Sequence, residues 1–133
     1  MVIDKQKLVS LSFQAASNPR LRFGFDMRTT NQDNSQRLLN AMEPGTIIPI
    51  HRHQTTSETM VMVRGKLIER FYDDFGNVTN EFVMEPLGEY SLIQVPANQW
   101  HSLEVLEPGT IIFEAKDGRY HPLAEDDIMN IKK

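Results

Sequence analysis

Four side chains in this sequence are of the kinds that hold a transition metal: His51, His53, Glu58 and His101. His51 and His53 are two residues apart, so on an extended strand both imidazoles leave the same side and can share one ion. Glu58 follows His53 by an odd step, which on an unbroken strand would send it to the opposite face. The polar stretch Gln54-Thr55-Thr56-Ser57 therefore has to turn and restart the alternation. His101 heads a later apolar segment, with Leu103 and Val105 on its side, and a neighbouring strand can complete the set. There is no cysteine, so any ion is held by nitrogen and oxygen alone. Such donors suit Fe, Mn, Co, Ni, Cu or Zn, and three imidazoles with one carboxylate leave room at a divalent ion for water or substrate. The remaining histidine, His121, stands beside Pro122 and reads as a surface residue.

Other residues offer chemistry around such an ion. Arg20, Arg22, Arg28, Arg37 and Arg52 gather near these segments, and a guanidinium fork pairs well with carboxylate or phosphate. Of these, Arg20, Arg22, Arg28 and Arg37 are the candidates for binding a substrate's acidic group, although a solvated face with surface ion pairs is the plainer explanation of each arginine taken singly. Glu114 and Lys116 alternate on one side of a strand and Tyr120 follows a glycine turn, making these three the candidate acid, base or hydroxyl. A Glu-Lys cross-strand pair accounts for the first two as well. Met60 and Met62 share the parity of Glu58 and are expected to line the same cavity, although core filling is the commoner use of such a pair.

The elements that position these residues are mostly strands. Leu8, Leu11 and Ala15 recur at helical steps between Asp4 and Ala16, predicting a short amphipathic helix over about 4–17 that Asn18-Pro19 ends. Beyond it, short apolar segments alternate with turn signals, the profile of an all-β sandwich or barrel over about 20–115. The predicted strands are Leu21–Phe25, Arg37–Met42, Thr46–Ile50, Glu58–Arg64, Lys66–Tyr72, Val78–Met84, Tyr90–Gln94, His101–Val105 and Thr110–Glu114, with a loop or tail over 116–133. Asp73-Asp74-Phe75-Gly76-Asn77 suits a hairpin loop. Met42-Glu43-Pro44-Gly45-Thr46-Ile47-Ile48 is echoed by Leu106-Glu107-Pro108-Gly109-Thr110-Ile111-Ile112, and Pro-Gly in each copy predicts a type II turn delivering the chain into a buried Ile-Ile strand.

The spacing Gly45, five residues, His51-Arg52-His53, four residues, Glu58, six residues, Gly65 resembles the first motif of the cupins at every fixed position. A looser second motif runs from Gly88 through Pro96-Ala97-Asn98 to His101. The resemblance implies a jelly-roll (cupin) β-barrel with the ion inside it. Asn18 to Leu123 further resembles the WbuC-like family of cupin-fold metalloproteins, through Asn18-Pro19-Arg20-Leu21-Arg22, Gln36 to Ala41, Pro49 to His53, Trp100-His101-Ser102 and Phe113 to Tyr120. That resemblance implies a setting in bacterial surface-polysaccharide metabolism. Asp26 and Arg28 depart from the residues frequent in that family, and its Trp-containing tail is missing.

The 133 residues fit one domain, and 14 Lys+Arg against 18 Asp+Glu give a net charge of −4 with no basic block for nucleic acid. No apolar run is long enough for a membrane helix and the first residues lack a signal-peptide core, so a cytoplasmic protein is expected. Exposed sheet edges predict a homodimer. Three functions fit: a metal-dependent isomerase or epimerase acting on a sugar, sugar phosphate or sugar acid, a small-ligand-binding module without turnover, and a metal-dependent dioxygenase.

Overall fold

The computed structural model describes residues 1–130. A helix α1 (Lys5–Ala16) is followed by eight strands: β1 (Arg22–Asp26), β2 (Ser35–Met42), β3 (Glu58–Arg64), β4 (Leu67–Tyr72), β5 (Val78–Met84), β6 (Leu92–Val95), β7 (Trp100–Val105) and β8 (Thr110–Asp117). A short 3-10 turn at Glu125–Asp127 closes the described chain. The strands form two antiparallel sheets, ordered β1-β2-β8-β3-β6 and β5-β4-β7. This is the all-β jelly roll with one N-terminal helix that the sequence predicts.

Period-two alternation assigns the faces of the larger sheet. On β2, Leu39 and Ala41 turn outward and join Ile111 beneath Leu11 and Ala15 of the helix. Gln36, Leu38 and Asn40, one residue out of phase, face an interior cavity. The helix starts at Asp4, whose carboxylate accepts a bond from the Lys7 amide at 2.8 Å. It therefore packs on its own barrel, through β1, β2 and β8. A second core between the sheets gathers Met42, Met60, Met62, Leu67, Met84, Val105 and Ile112. Met62 is filling there, not the cavity wall expected for it, whereas Met60 does line the cavity.

Two sequence expectations need correction. Thr46–Ile50 is not a strand: Gly45 makes the expected positive-φ turn (φ 96°), but Ile47 beyond it is 82% exposed. Pro49 has no amide to donate to a ladder, and regular pairing resumes only at His51. The second copy behaves as predicted, with Ile111 and Ile112 fully buried in β8. The presumed tail is also partly ordered: β8 extends to Asp117, and Ile128 bridges to His51. Residues 131–133 of that segment lie outside the described residues.

Candidate metal centre

His51, His53, Glu58 and His101 converge, each offering one donor atom, and these atoms all lie within 4.8 Å of one another. Their backbones explain the convergence. His51 and His101 exchange both amide bonds, at 3.0 and 2.8 Å, which brings their ring centroids to 4.3 Å. The carbonyl of His53 accepts from the Asn98 amide at 2.7 Å, tying the ligand loop to the Pro96-Ala97-Asn98 turn. Bends at Gln54 and Thr55 restart the alternation, so that Glu58 enters β3 pointing inward, its Oε2 3.0 Å from His53 Nε2.

The electrostatics favour a cation. Burial holds the imidazoles of His51 and His101 at about 4, with neighbouring histidine charge adding to the effect, so both rings are neutral near pH 7. Burial alone would raise Glu58, but the His53 hydrogen bond and the surrounding imidazoles outweigh it and hold the carboxyl at about 2. Deprotonated histidines beside an ionised carboxylate form a donor set ready for a metal. A more direct indication is His101 Nε2, which is buried with no hydrogen-bond partner while the opposite nitrogen sits 2.7 Å from Glu69 Oε1. An orphaned buried ring nitrogen is costly, and a cation at its lone pair would satisfy it. The residues therefore fit a divalent ion.

Glu69 is a participant that sequence reasoning missed. It is 1% exposed, and burial followed by the charge of Glu58 pushes its carboxyl well above the usual range. Its signal lay in parity: Leu67, Glu69 and Phe71 alternate on β4, and Leu67 is core. With a cation at Nε2, the ring proton of His101 belongs on Nδ1, where Glu69 accepts it and fixes the ring.

The cluster lies in the wall of a cavity of about 520 Å³. Glu114, Lys116 and Tyr120, the candidate acid, base and hydroxyl, all line it. Burial and then Glu58 push the Glu114 carboxyl well above the usual range, and burial lowers the Lys116 amine, whose Nζ is 3.2 Å from His53 Nδ1. Arg28 and Arg37 line the cavity, whereas Arg20 and Arg22 do not: Arg20 is exposed before β1 and Arg22 donates to the Ile47 carbonyl at 2.9 Å. Arg52 also faces away, its guanidinium 4.3 Å from the centre of the Trp100 ring and 3.3 Å from Asp127. His121 is exposed at the mouth and is outside the ligand cluster.

The stretch from Pro122 to Met129 is a further part of the site that the sequence does not announce. Asp127 accepts from Gln54 at 2.6 Å, the Arg52 amide donates to the Asp127 carbonyl and the Met129 amide to that of Ile50. The ligand-bearing stretch is thus clamped between β7 and a strap whose preceding residues, His121 to Leu123, wall the cavity. No helix among the described residues is long and apolar enough to cross a membrane.

Comparison with known proteins gives a family and a fold. A family model described as "Domain of unknown function (DUF6016)" matches residues 3–84. No curated protein matches. Among solved structures, KdgF from Halomonas sp. superposes with a TM-score of 0.62 at 14% identity, covering 77% of this chain and 84% of that one. The capsular polysaccharide assembling protein CapF from Staphylococcus aureus gives 0.60 at 21% identity, over 74% of this chain and 27% of CapF. An oxalate oxidase in complex with the substrate analogue glycolate gives 0.62 at 13%, over 82% of this chain and 57% of that one. This chain spans only about a quarter of CapF and little more than half of the oxidase. At such identities the likeness is one of fold, the two-sheet jelly roll of the cupins.

Proposed function

Because this chain belongs to the family described as a domain of unknown function, DUF6016, its activity has to be read from its own site, and we propose a metal-dependent isomerase or epimerase acting on a sugar, sugar phosphate or sugar acid. The observation that carries this reading is the placement of two proton-transfer groups beside the donor cluster. Glu58 pairs in register with Lys116, and Met60 with Glu114, so the amine and the carboxyl face the cavity on adjacent rows of one sheet.

His51, His53, Glu58 and His101 would hold one divalent ion, which supplies a Lewis acid for a carbonyl or hydroxyl oxygen. The protein's own groups do the rest. An amine lowered by burial can accept a proton from a carbon next to a carbonyl, and a carboxyl raised by burial can donate one. Removing a proton from one carbon and returning it to its neighbour isomerises; returning it to the opposite face of the same carbon epimerises. Leu38, Met60 and Leu103 give the cavity its apolar share and limit water around the reacting carbons. A role in surface-polysaccharide metabolism is supported by the WbuC-like sequence pattern and by the fold shared with a capsular polysaccharide assembling protein. A cytoplasmic homodimer completes the proposal, with Val83 and Leu92, exposed on the edge strands β5 and β6, as the surface a second copy would cover.

The test is metal analysis of protein purified without added ions, followed by incubation of metal-free and reloaded protein with sugar phosphates and sugar acids in deuterium oxide. Metal-dependent, oxygen-independent exchange of a substrate C–H proton is the expected result. Oxygen consumption by the iron form without exchange would replace this reading with the dioxygenase, and a ligand that binds tightly and emerges unchanged would replace it with the binding module.

A further inference from the structure

The register of the larger sheet arranges its cavity-facing side chains in rows. Glu58 on β3 pairs with Lys116 on β8, and Lys116 with Gln36 on β2. The Met27 amide donates to the Arg37 carbonyl, which carries the β1–β2 pairing one residue past Asp26 and Leu38 and sets Arg28 beside Gln36. One row thus runs from a ligand carboxylate through an amine and an amide to a guanidinium, and all four side chains line the cavity. Three interstrand steps of ~4.8 Å separate its ends by about 14 Å along the curved sheet.

The guanidinium at the far end is held by one edge only. Arg28 Nε donates to both oxygens of Asp26 at 3.0 Å and Nη2 to Oδ2 at 2.7 Å. Its Nη1 has no acceptor among the described residues, although the side chain is only 14% exposed. The ring of Tyr120 lies 5.7 Å from the guanidinium carbon. Arg37, the other cavity arginine, is different: Nη1 is taken by Ser35 and Nη2 by Asp33. An arginine that lines a cavity, pinned along one edge and with its other nitrogen lacking an acceptor among the described residues, is preorganised to receive an anion.

We propose that the cavity is a two-ended site for a six-carbon sugar acid carrying a second anionic group. The hydroxy-acid end meets the histidine-glutamate cluster, and a phosphate or carboxylate at the far carbon is received by Nη1 of Arg28. This rests on the sugar-acid reading above and narrows it to doubly anionic ligands long enough to reach both ends of the row.

Calorimetric titration of the zinc-loaded full chain tests it with D-gluconate, 6-phosphogluconate, D-glucarate and the shorter 3-phosphoglycerate. At least one of the two six-carbon, doubly anionic ligands should bind about tenfold or more tighter than gluconate, and the larger gain identifies phosphate or carboxylate as the far group. Arg28→Gln should abolish that gain while leaving gluconate affinity unchanged, which also shows that the variant is folded. 3-Phosphoglycerate should be indifferent to the substitution. Equal affinities for gluconate and both longer ligands, a gain that survives Arg28→Gln, or an equal loss for 3-phosphoglycerate would overturn the two-ended site. Zinc-dependent gluconate binding without an anion advantage would leave the sugar-acid reading intact, whereas no zinc-dependent binding of gluconate would remove both.

Discussion

Replacing Glu69 by alanine should weaken metal binding by roughly 10- to 100-fold, about 1.4–2.8 kcal/mol, without touching a ligand. Glu69 is buried and reaches His101 Nδ1 at 2.7 Å; burial and Glu58 favour its neutral form in the metal-free chain, whereas a cation at Nε2 favours the carboxylate, which both orients the ring and makes Nε2 a better donor. Removing it frees the ring to rotate and leaves Nδ1–H without an acceptor, a buried donor worth about 1–3 kcal/mol. Glu69→Gln is the informative companion. Its amide oxygen can still accept from Nδ1 but carries no charge, so its loss should be smaller, nearer tenfold. Both are measured by competition with a chromophoric chelator for zinc, with the visible spectrum of the cobalt form reporting ligand geometry. If Glu69→Ala folds and binds zinc within twofold of the wild type, His101 is not held as described and the carboxylate has no part in the centre.

Three further outcomes follow from other contacts. In the metal-free protein His51 and His101 should each cost on the order of 2 kcal/mol of stability between pH 7 and 5, because the unfolded chain takes up protons that the buried rings refuse, while the raised carboxyls of Glu69 and Glu114 act in the opposite direction; the His51 share is read by comparison with His51→Gln, which should lose less on acidification by that amount, and a variant with the pH slope of the wild type would contradict this. Asp127→Ala removes the acceptor for Gln54 and Arg52, so trypsin should cut faster at Arg119 and zinc should dissociate several-fold faster, and a strap as resistant as the wild type would show that other contacts hold it. Leu11→Ala empties a fully buried position under the helix and should cost about 2–5 kcal/mol in urea denaturation, while chelator competition shows an unchanged zinc affinity; a parallel loss of affinity would mean the helix bears on the site.

Much of the centre was legible because its logic is local. His-x-His parity, the odd step to Glu58 and the parity of Glu114 with Lys116 survive folding, since pleating alternates faces whatever the topology. What parity does not give is position along the strand. Arg22 has the parity of Asp26, but it pairs with Met42 at the opposite end of β1 from Asp26, so correct phase still left it off the cavity. Thr46–Ile50 failed for a related reason: β propensity is realised only where a partner strand is available, and here the ladder partners lie elsewhere. Asp127 was invisible because its contacts reach back more than seventy residues from a segment with no periodicity.

The distribution of cores explains how so polar a cavity is sustained. Glu58, Glu69 and His101 are buried polar groups, and desolvating them opposes folding. Apolar burial is concentrated elsewhere: a methionine-rich cluster joins the sheets, and the helix seals the outer face of β1, β2 and β8. β2 and β8 are therefore covered on one side by hydrocarbon and free to present polar side chains on the other. An ion that binds only the folded chain adds stability according to its concentration relative to its dissociation constant, so it offsets the cost where that cost arises. The same division leaves Lys116 on β8 and Arg28 just beyond β1 facing the cavity, because neither belongs to a hydrophobic core.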